Sequence, residues 1–202
     1  TGVIGTTTYK FYKVSTDSTS AIFIQPPNAA IFSYINSQGQ SLVYDAPTQI
    51  YTYTNRQGIV YKFSKSPSSS LGNGDIISKK DVDGRTLTYA YVSLPGCGST
   101  CKVVRQVVSN KGYAVWYDYD STSRISKITA YNMSVDYCDA TAATCTFSRV
   151  WPSSSVTQYP DYKSIAFTDE MNRTLSEIWS GTTATVTSPT GKQAIITTDS
   201  AN

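Results

Sequence analysis

The 202-residue sequence contains no histidine, only two methionines and few leucines. The absence of histidine removes Ser-His and Cys-His nucleophile pairs and the commonest metal ligand. Any hydrolase chemistry would therefore depend on carboxylates, tyrosine or lysine. The chain also has no apolar run near the ~18 residues that a membrane-spanning helix needs, so we expect no membrane span. The sequence predicts no cofactor.

Charge of either sign is sparse and scattered. The 17 Lys and Arg against 14 Asp and Glu give a net charge of +3, and the basic residues form no block. Nucleic-acid-binding domains usually carry a concentrated basic stripe, so we expect no nucleic-acid partner. The first ten residues, TGVIGTTTYK, lack the basic and apolar regions of a signal peptide. This start is typical of a mature product or an excised piece.

Aromatic and hydroxyl residues are abundant, with 16 Tyr, 6 Phe and 3 Trp beside 55 Ser and Thr. Such residues suit a pleated, half-buried surface better than a helix. Alternating runs recur along the chain between turn residues; in RTLTYAYV, for example, Leu87, Tyr89 and Tyr91 share one face. The nearest approach to a helical period is DEMNRTLSEIW, whose hydroxyl residues favour a strand. We predict an all-β fold in one continuous unit over residues 1–202.

Three segments in this pattern give more specific predictions. TCTFSRVW is predicted as a strand. SKSPSSSLGNGD (64–75) is predicted as a loop, either a linker or the tip of a hairpin, because Ser and Gly dominate it. WPSSSVTQYPDY, around Trp151, is the second candidate for such a loop.

Four cysteines form two local pairs. Cys97 and Cys101 lie in PGCGSTC, and Cys138 and Cys145 lie in YCDATAATC. The simplest interpretation is two disulfides that each close a loop between strands, although three connectivities are possible. A four-cysteine zinc site and free thiols are the alternatives; the first pair has zinc-knuckle spacing and the second does not. Disulfides predict an oxidising compartment, so we expect an extracellular or cell-surface location.

One kind of hairpin recurs: an aromatic strand, an acidic turn, an arginine, then an alternating strand. Gly or Asn in such turns fits the left-handed backbone that tight hairpins require. The acid can accept hydrogen bonds from turn N–H groups, and the arginine can pair with it. The predicted turn residues are Asp83, Gly84 and Arg85 in the first copy, Asp120 and Arg124 in the second, and Asp169, Asn172 and Arg173 in the third.

These copies resemble the RHS/YD-repeat family, whose motif is roughly Tyr-Asp, a short turn, Gly-Arg-Leu and an alternating strand. YDYDSTSRISKIT and DGRTLTYAY match best, and TDEMNRTLSEI has Asn in place of Gly. The resemblance covers residues 51–202, from about Thr52 to Thr198, and residues 1–50 are only compatible with it. It implies a strip of consecutive antiparallel hairpins, which in larger relatives spirals into a hollow shell around a toxin or effector.

Two departures limit what the resemblance implies. A chain of 202 residues has too few hairpins to close a large shell, and it contains no Asp-Pro-x-Gly-Leu sequence of the kind that marks the family's self-cleaving boundary. We therefore expect a non-enzymatic structural module that associates with itself or with other chains through exposed strand edges. Larger surface, shell or fibre assemblies would follow from such association.

Two other functions compete with this expectation. An adhesin or glycan-binding module would use exposed Tyr and Trp faces to bind cell-surface glycans, although tyrosines also alternate along strands simply to pack. A carboxylate enzyme such as a glycosidase would use Asp118 and Asp120, which strand geometry places roughly 6.5 to 7 Å apart. The recurrence of acid and arginine in several turns favours a structural role over a unique active site.

Overall fold

The computed structural model describes residues 2–4, 7–16, 19–25, 31–34, 39–65, 74–94, 102–158 and 164–197. These residues form an all-β structure of consecutive antiparallel hairpins, which confirms the predicted fold class, and they contain no helix. The chain divides into two compact units. Unit 1 comprises Thr1–Tyr89 with Ser109–Lys111, and unit 2 comprises Ala90–Val108 with Gly112–Asn202.

Each strand of unit 1 pairs with the next strand in the chain, always antiparallel. The strands are β1 (Gly2–Ile4), β2 (Thr7–Thr16), β3 (Thr19–Gln25), β4 (Ile31–Tyr34), β5 (Ser41–Asp45), β6 (Ile50–Thr54), β7 (Val60–Ser64) and β8 (Ile76–Lys80), followed by β9 (Thr86–Ser93), which ends in unit 2.

The core of unit 1 is aromatic. Leu42, Tyr53 and Tyr61 lie opposite one another on neighbouring strands, so they share one face of the sheet, and all three are buried. The buried Phe23 of β3 packs edge-on against Tyr53, with ring centroids 5.9 Å apart. Edge-to-face pairs add to the free energy gained by burial. The tyrosine-rich alternation of the sequence therefore forms a packed core here.

Unit 2 continues the same pattern of antiparallel neighbours. Its strands are β10 (Lys102–Ser109), β11 (Tyr113–Tyr119), β12 (Ile125–Asn132), β13 (Ser153–Gln158), β14 (Ser164–Thr168), β15 (Thr174–Ser180), β16 (Thr183–Thr187) and β17 (Gln193–Thr197).

In the described part of unit 2, the buried side chains cluster where a long loop lies on the sheet. Residues 133–152, which we call the β12–β13 loop, contain no strand. Phe147 of this loop packs on Tyr131, with ring centroids 5.1 Å apart, and the buried cluster also includes Ala114, Trp116 and Cys138. Within the described residues 153–197, in contrast, Ala184 is the one side chain classed as buried. The other described side chains of β13 to β17 are therefore half-buried or exposed, so this part of the sheet is incompletely covered by the described residues.

The β12–β13 loop corrects two predictions from the sequence. TCTFSRVW, predicted as a strand, is irregular and lies within this loop. The Asp136 carboxylate holds this segment by accepting the backbone N–H of Ser148 and the indole N–H of Trp151. WPSSSVTQYPDY, predicted as a loop, supplies β13. Residues 66–73 of the other predicted loop lie outside the described residues.

The unit 1 core predicts a clear contrast between neighbouring residues. Leu42→Ala removes a side chain that is 2% exposed, so it should lower the free energy of unfolding by about 2–5 kcal/mol. Val43→Ala alters the opposite face, where the side chain is 41% exposed, and should cost less than about 1 kcal/mol. Urea unfolding monitored by circular dichroism measures both. Equal losses would contradict this placement of the core.

Candidate functional site

Five described hairpin turns share one backbone geometry. In each, the first residue donates its N–H to the carbonyl of the residue four positions later, and its own carbonyl accepts the N–H three positions later. The residue that donates this second bond has a positive φ, between 59° and 81°. This is a tight turn closed by a left-handed residue. The first residues are Asn55, Asp81, Asp120, Asp169 and Ser188, and the left-handed residues are Gly58, Gly84, Ser123, Asn172 and Gly191.

The side chain of the first residue explains why the turns begin with Asp, Asn or Ser. Asp120 Oδ1 accepts the backbone N–H of Thr122 at 2.8 Å and of Arg124 at 3.0 Å. These bonds occupy N–H groups that the strand ladder leaves unpaired. The same bonds are made by Asn55 to Gln57 and Ile59 and by Asp169 to Met171 and Arg173, and Ser188 Oγ accepts the N–H of Lys192.

In the turn with Gly84, the structure places a different acid at the first position from the one singled out in the sequence. Asp81 begins this turn, and its Oδ2 accepts Arg85 Nε at 2.9 Å. Asp83 lies inside the turn, where its Oδ1 accepts the backbone N–H of Arg85 at 3.1 Å. The hydrogen bond and charge of Asp81 raise the pKa of Arg85. Asp81 precedes Gly84 by three residues, a spacing that would have identified it.

The side chain of Arg173 likewise forms a hydrogen bond with the acid that begins its own turn, Asp169. Arg173 Nε donates to Asp169 Oδ2 at 2.7 Å, and this bond is the largest cause of the lowered pKa of Asp169. The pKa of Asp120 is also lowered, chiefly by the backbone N–H of Arg124. Both carboxylates therefore stay ionised and serve as acceptors within their own turns.

The two acids considered as a catalytic pair have separate structural partners. Asp118 Oδ1 accepts Trp116 Nε1 at 2.8 Å and lies 4.0 Å from Arg105 Nη1, whereas Asp120 is bonded to its own turn. A glycosidase acid must hold a proton at neutral pH, which requires a raised pKa. The pKa of Asp120 moves in the opposite direction. Asp120 therefore serves as a hydrogen-bond acceptor within its own turn.

A buried arginine in β10 was not identified from the sequence. The guanidinium of Arg105 lies 5.1 Å from the Trp116 ring and 5.7 Å from the Tyr119 ring, and its Nη1 donates to the carbonyl of Tyr117 at 3.0 Å. Aromatic faces attract a desolvated cation. Tyr119 donates its hydroxyl to the carbonyl of Val104, and burial raises its pKa. The Tyr119 side chain thus packs across the strands, and Tyr117 contributes its backbone carbonyl.

The β12–β13 loop is held at both ends. Cys138 and Cys145 form a disulfide, and Gln106 Nε2 donates to the Cys138 carbonyl at 3.2 Å and to the Tyr131 hydroxyl. Asp136 accepts the Ser148 N–H at 2.9 Å and the Trp151 indole at 2.6 Å. No described group of three or more metal-ligating side chains is arranged to hold an ion. Cys97 and Cys101 lie outside the described residues.

Comparison with known proteins assigns no family to the chain. No family model matches the chain, and no curated protein matches it significantly. In the described part of the chain, no helix has the length and apolar character that crossing a membrane requires.

The left-handed position predicts opposite effects for two serines of one turn. Ser123 has a φ of 65°, so Ser123→Gly should remove backbone strain and raise the free energy of unfolding by about 0.5–1 kcal/mol. Ser121→Gly, in the same turn but without a positive φ, should lower it because glycine adds freedom to the unfolded chain. Chemical unfolding of both variants measures the difference. Equal effects would contradict the assigned turn geometry.

Acid should destabilise the fold through the carboxylates that accept hydrogen bonds. The pKa values of Asp120, Asp136 and Asp169 are lowered; the largest cause for Asp136 is the bond from the Trp151 indole. A lowered folded-state pKa gives stability that is present above the unfolded value of ~3.9 and is lost as pH falls through the folded value.

Melting temperatures measured from pH 7 to pH 2 should therefore fall mainly below about pH 4. Changing Asp120 and Asp169 to asparagine should flatten part of this fall, because one amide oxygen can still accept the turn N–H groups, as Asn55 Oδ1 does. Asp136 is left unchanged because it accepts hydrogen bonds with both of its oxygens. An acid profile identical to that of the wild type would show that other groups control the pH dependence.

Proposed function

We propose that the chain is a non-enzymatic structural module of the RHS/YD-repeat type, secreted or displayed on a surface. The repeated turn supports this proposal, because five copies of one hydrogen-bonded geometry serve to reverse the chain. Asp120 and Asp169 are engaged as turn acceptors. The disulfide between Cys138 and Cys145 supports an oxidising, extracellular location.

The observation that carries the assembly part of the proposal is the uncovered sheet from β13 to β17. One side of this sheet, which we call the apolar face, aligns Val156 with Phe167 and Leu175. Phe167 is 43% exposed and Leu175 is 41% exposed. Isolated strands need a covered apolar face for stability. This part of the chain is thus suited to lie within a larger hairpin array.

The last described strand provides a site where such an array could continue. All five residues of β17 are exposed, including Ile195 at 71% and Ile196 at 51%. Within the described residues of unit 2, β17 pairs with β16 alone. Its residues carry no charge, and charged residues are the usual protection of an edge strand. We propose that strands of further copies pair with this edge.

The assembly proposal predicts a concentration-dependent particle size. Size-exclusion chromatography with light scattering should show larger species as concentration rises, and negative-stain images should show extended arrays. Ile195→Lys places a charge on the β17 edge and should suppress association. Ala143→Lys adds the same charge to the exposed part of the β12–β13 loop and should leave association unchanged. A monomer at every concentration would overturn the proposal.

A glycan-binding adhesin is the second candidate function, and two exposed tyrosines favour it. Tyr113 and Tyr137 expose most of their surface and could stack on sugar rings. The tryptophans are engaged elsewhere: the indole N–H groups of Trp116, Trp151 and Trp179 are donated to Asp118, Asp136 and Glu177. A glycan array in which Tyr113→Ala and Tyr137→Ala lose a wild-type signal would favour this function. The absence of any wild-type signal on the array would contradict the glycan-binding function.

A further inference from the structure

The side of β13–β17 opposite the apolar face is lined by hydroxyl groups. It carries Thr183, Thr185 and Thr187 of β16, and we call it the hydroxyl face. Antiparallel pairing extends it in rows across the strands. One row is Ser155–Thr168–Thr174, and another is Ser180–Thr183–Thr197. None of its described side chains is fully buried.

The hydroxyl face also lacks charge. Its residues other than Ser and Thr are Ala166, Ile178, Gln193 and Ile195. The comparable outward side of β5–β8 in unit 1 carries exposed Asp45, Lys62 and Lys80, as solvated strands commonly do. Solubility alone therefore does not account for a wholly neutral surface in unit 2, because the same chain uses charges for that purpose elsewhere.

The hydroxyl face has the chemistry to bind a ligand that is itself neutral and rich in hydroxyls. Each hydroxyl can donate one hydrogen bond and accept others. Thr168 and Thr174 share one hydrogen bond at 2.9 Å, which leaves one of their two hydroxyl protons for a ligand. Threonine is β-branched, so its rotamer is restricted and its hydroxyl loses little entropy on binding. Neighbouring strands are ~4.8 Å apart and alternate residues along a strand are ~6.7 Å apart, so the hydroxyls repeat in two directions. A repeating polymer can engage many of them at once.

We propose that the hydroxyl face binds a neutral polysaccharide, whose chain crosses the strands along the rows of Ser and Thr. Each hydrogen bond replaces bonds to water and contributes little alone, so affinity comes from the number of contacts made by one polymer chain. The absence of charge on the face gives no attraction for acidic polymers such as heparin. This site uses residues different from Tyr113 and Tyr137, and it does not depend on the assembly proposal.

Sedimentation with insoluble polysaccharides tests this site. The wild-type protein is mixed with cellulose, chitin or insoluble β-glucan, and binding to heparin beads is measured in parallel. The triple variant Thr183→Val, Thr185→Val and Thr187→Val removes three hydroxyls while keeping side-chain shape and strand propensity. Val186→Thr is the matched control because Val186 lies on the apolar face of the same strand.

We expect the wild type and Val186→Thr to sediment with at least one neutral polysaccharide, and the triple variant to lose at least tenfold in affinity with an unchanged circular dichroism spectrum. The single variant Thr185→Val should show a smaller loss of affinity. It replaces the triple variant in the test if the triple variant does not fold. No wild-type binding, binding to heparin alone, or equal binding by the valine variants would overturn the proposal.

Discussion

The structure depends on one hydrogen-bonding constraint, the capture of backbone N–H groups by the first side chain of the turn, which four of the five described turns share. Asp120, Asp169 and Asn55 each bind the N–H groups two and four residues later. This pattern fixes the chain reversal and places one residue of each turn in the left-handed region. In two turns that residue is not a glycine but Ser123 or Asn172. Because the turn sets the register, it also determines which side chains share a face.

The consequences of that register differ along the chain. In unit 1, register places Leu42, Tyr53 and Tyr61 together, and Phe23 completes a buried core. In the first half of unit 2, the β12–β13 loop supplies the cover. From β13 onward, the same alternation produces an apolar face and a hydroxyl face, and Ala184 is the one described side chain that is fully buried. A repeat that reverses the chain reliably can thus leave both faces available for partners.

The sequence predicted the fold class because period-two alternation and turn residues are local signals. Gly84 and the turn of Asp120 could be recognised by eye, whereas Asp81 was missed because Asp83 lies closer to Gly84. The β12–β13 loop was not predictable, because Phe147 and Trp151 look strand-like locally. Their conformation is decided by a hydrogen bond from Trp151 to Asp136 and by packing of Phe147 on the Tyr131 ring. Arg105 was missed because its aromatic partners become neighbours only after strands pair.

Amide hydrogen exchange measured by NMR tests the central claim most directly, because it reports on the turn N–H groups individually. The amides of Ile59, Arg124 and Arg173, each bound to the first side chain of its turn, should exchange much more slowly than those of an unstructured peptide. Changing Asp120 to alanine should accelerate exchange at Arg124 while Arg173 stays protected. Rapid exchange at all three amides in the wild-type protein would contradict the claim that these side chains hold the hairpins.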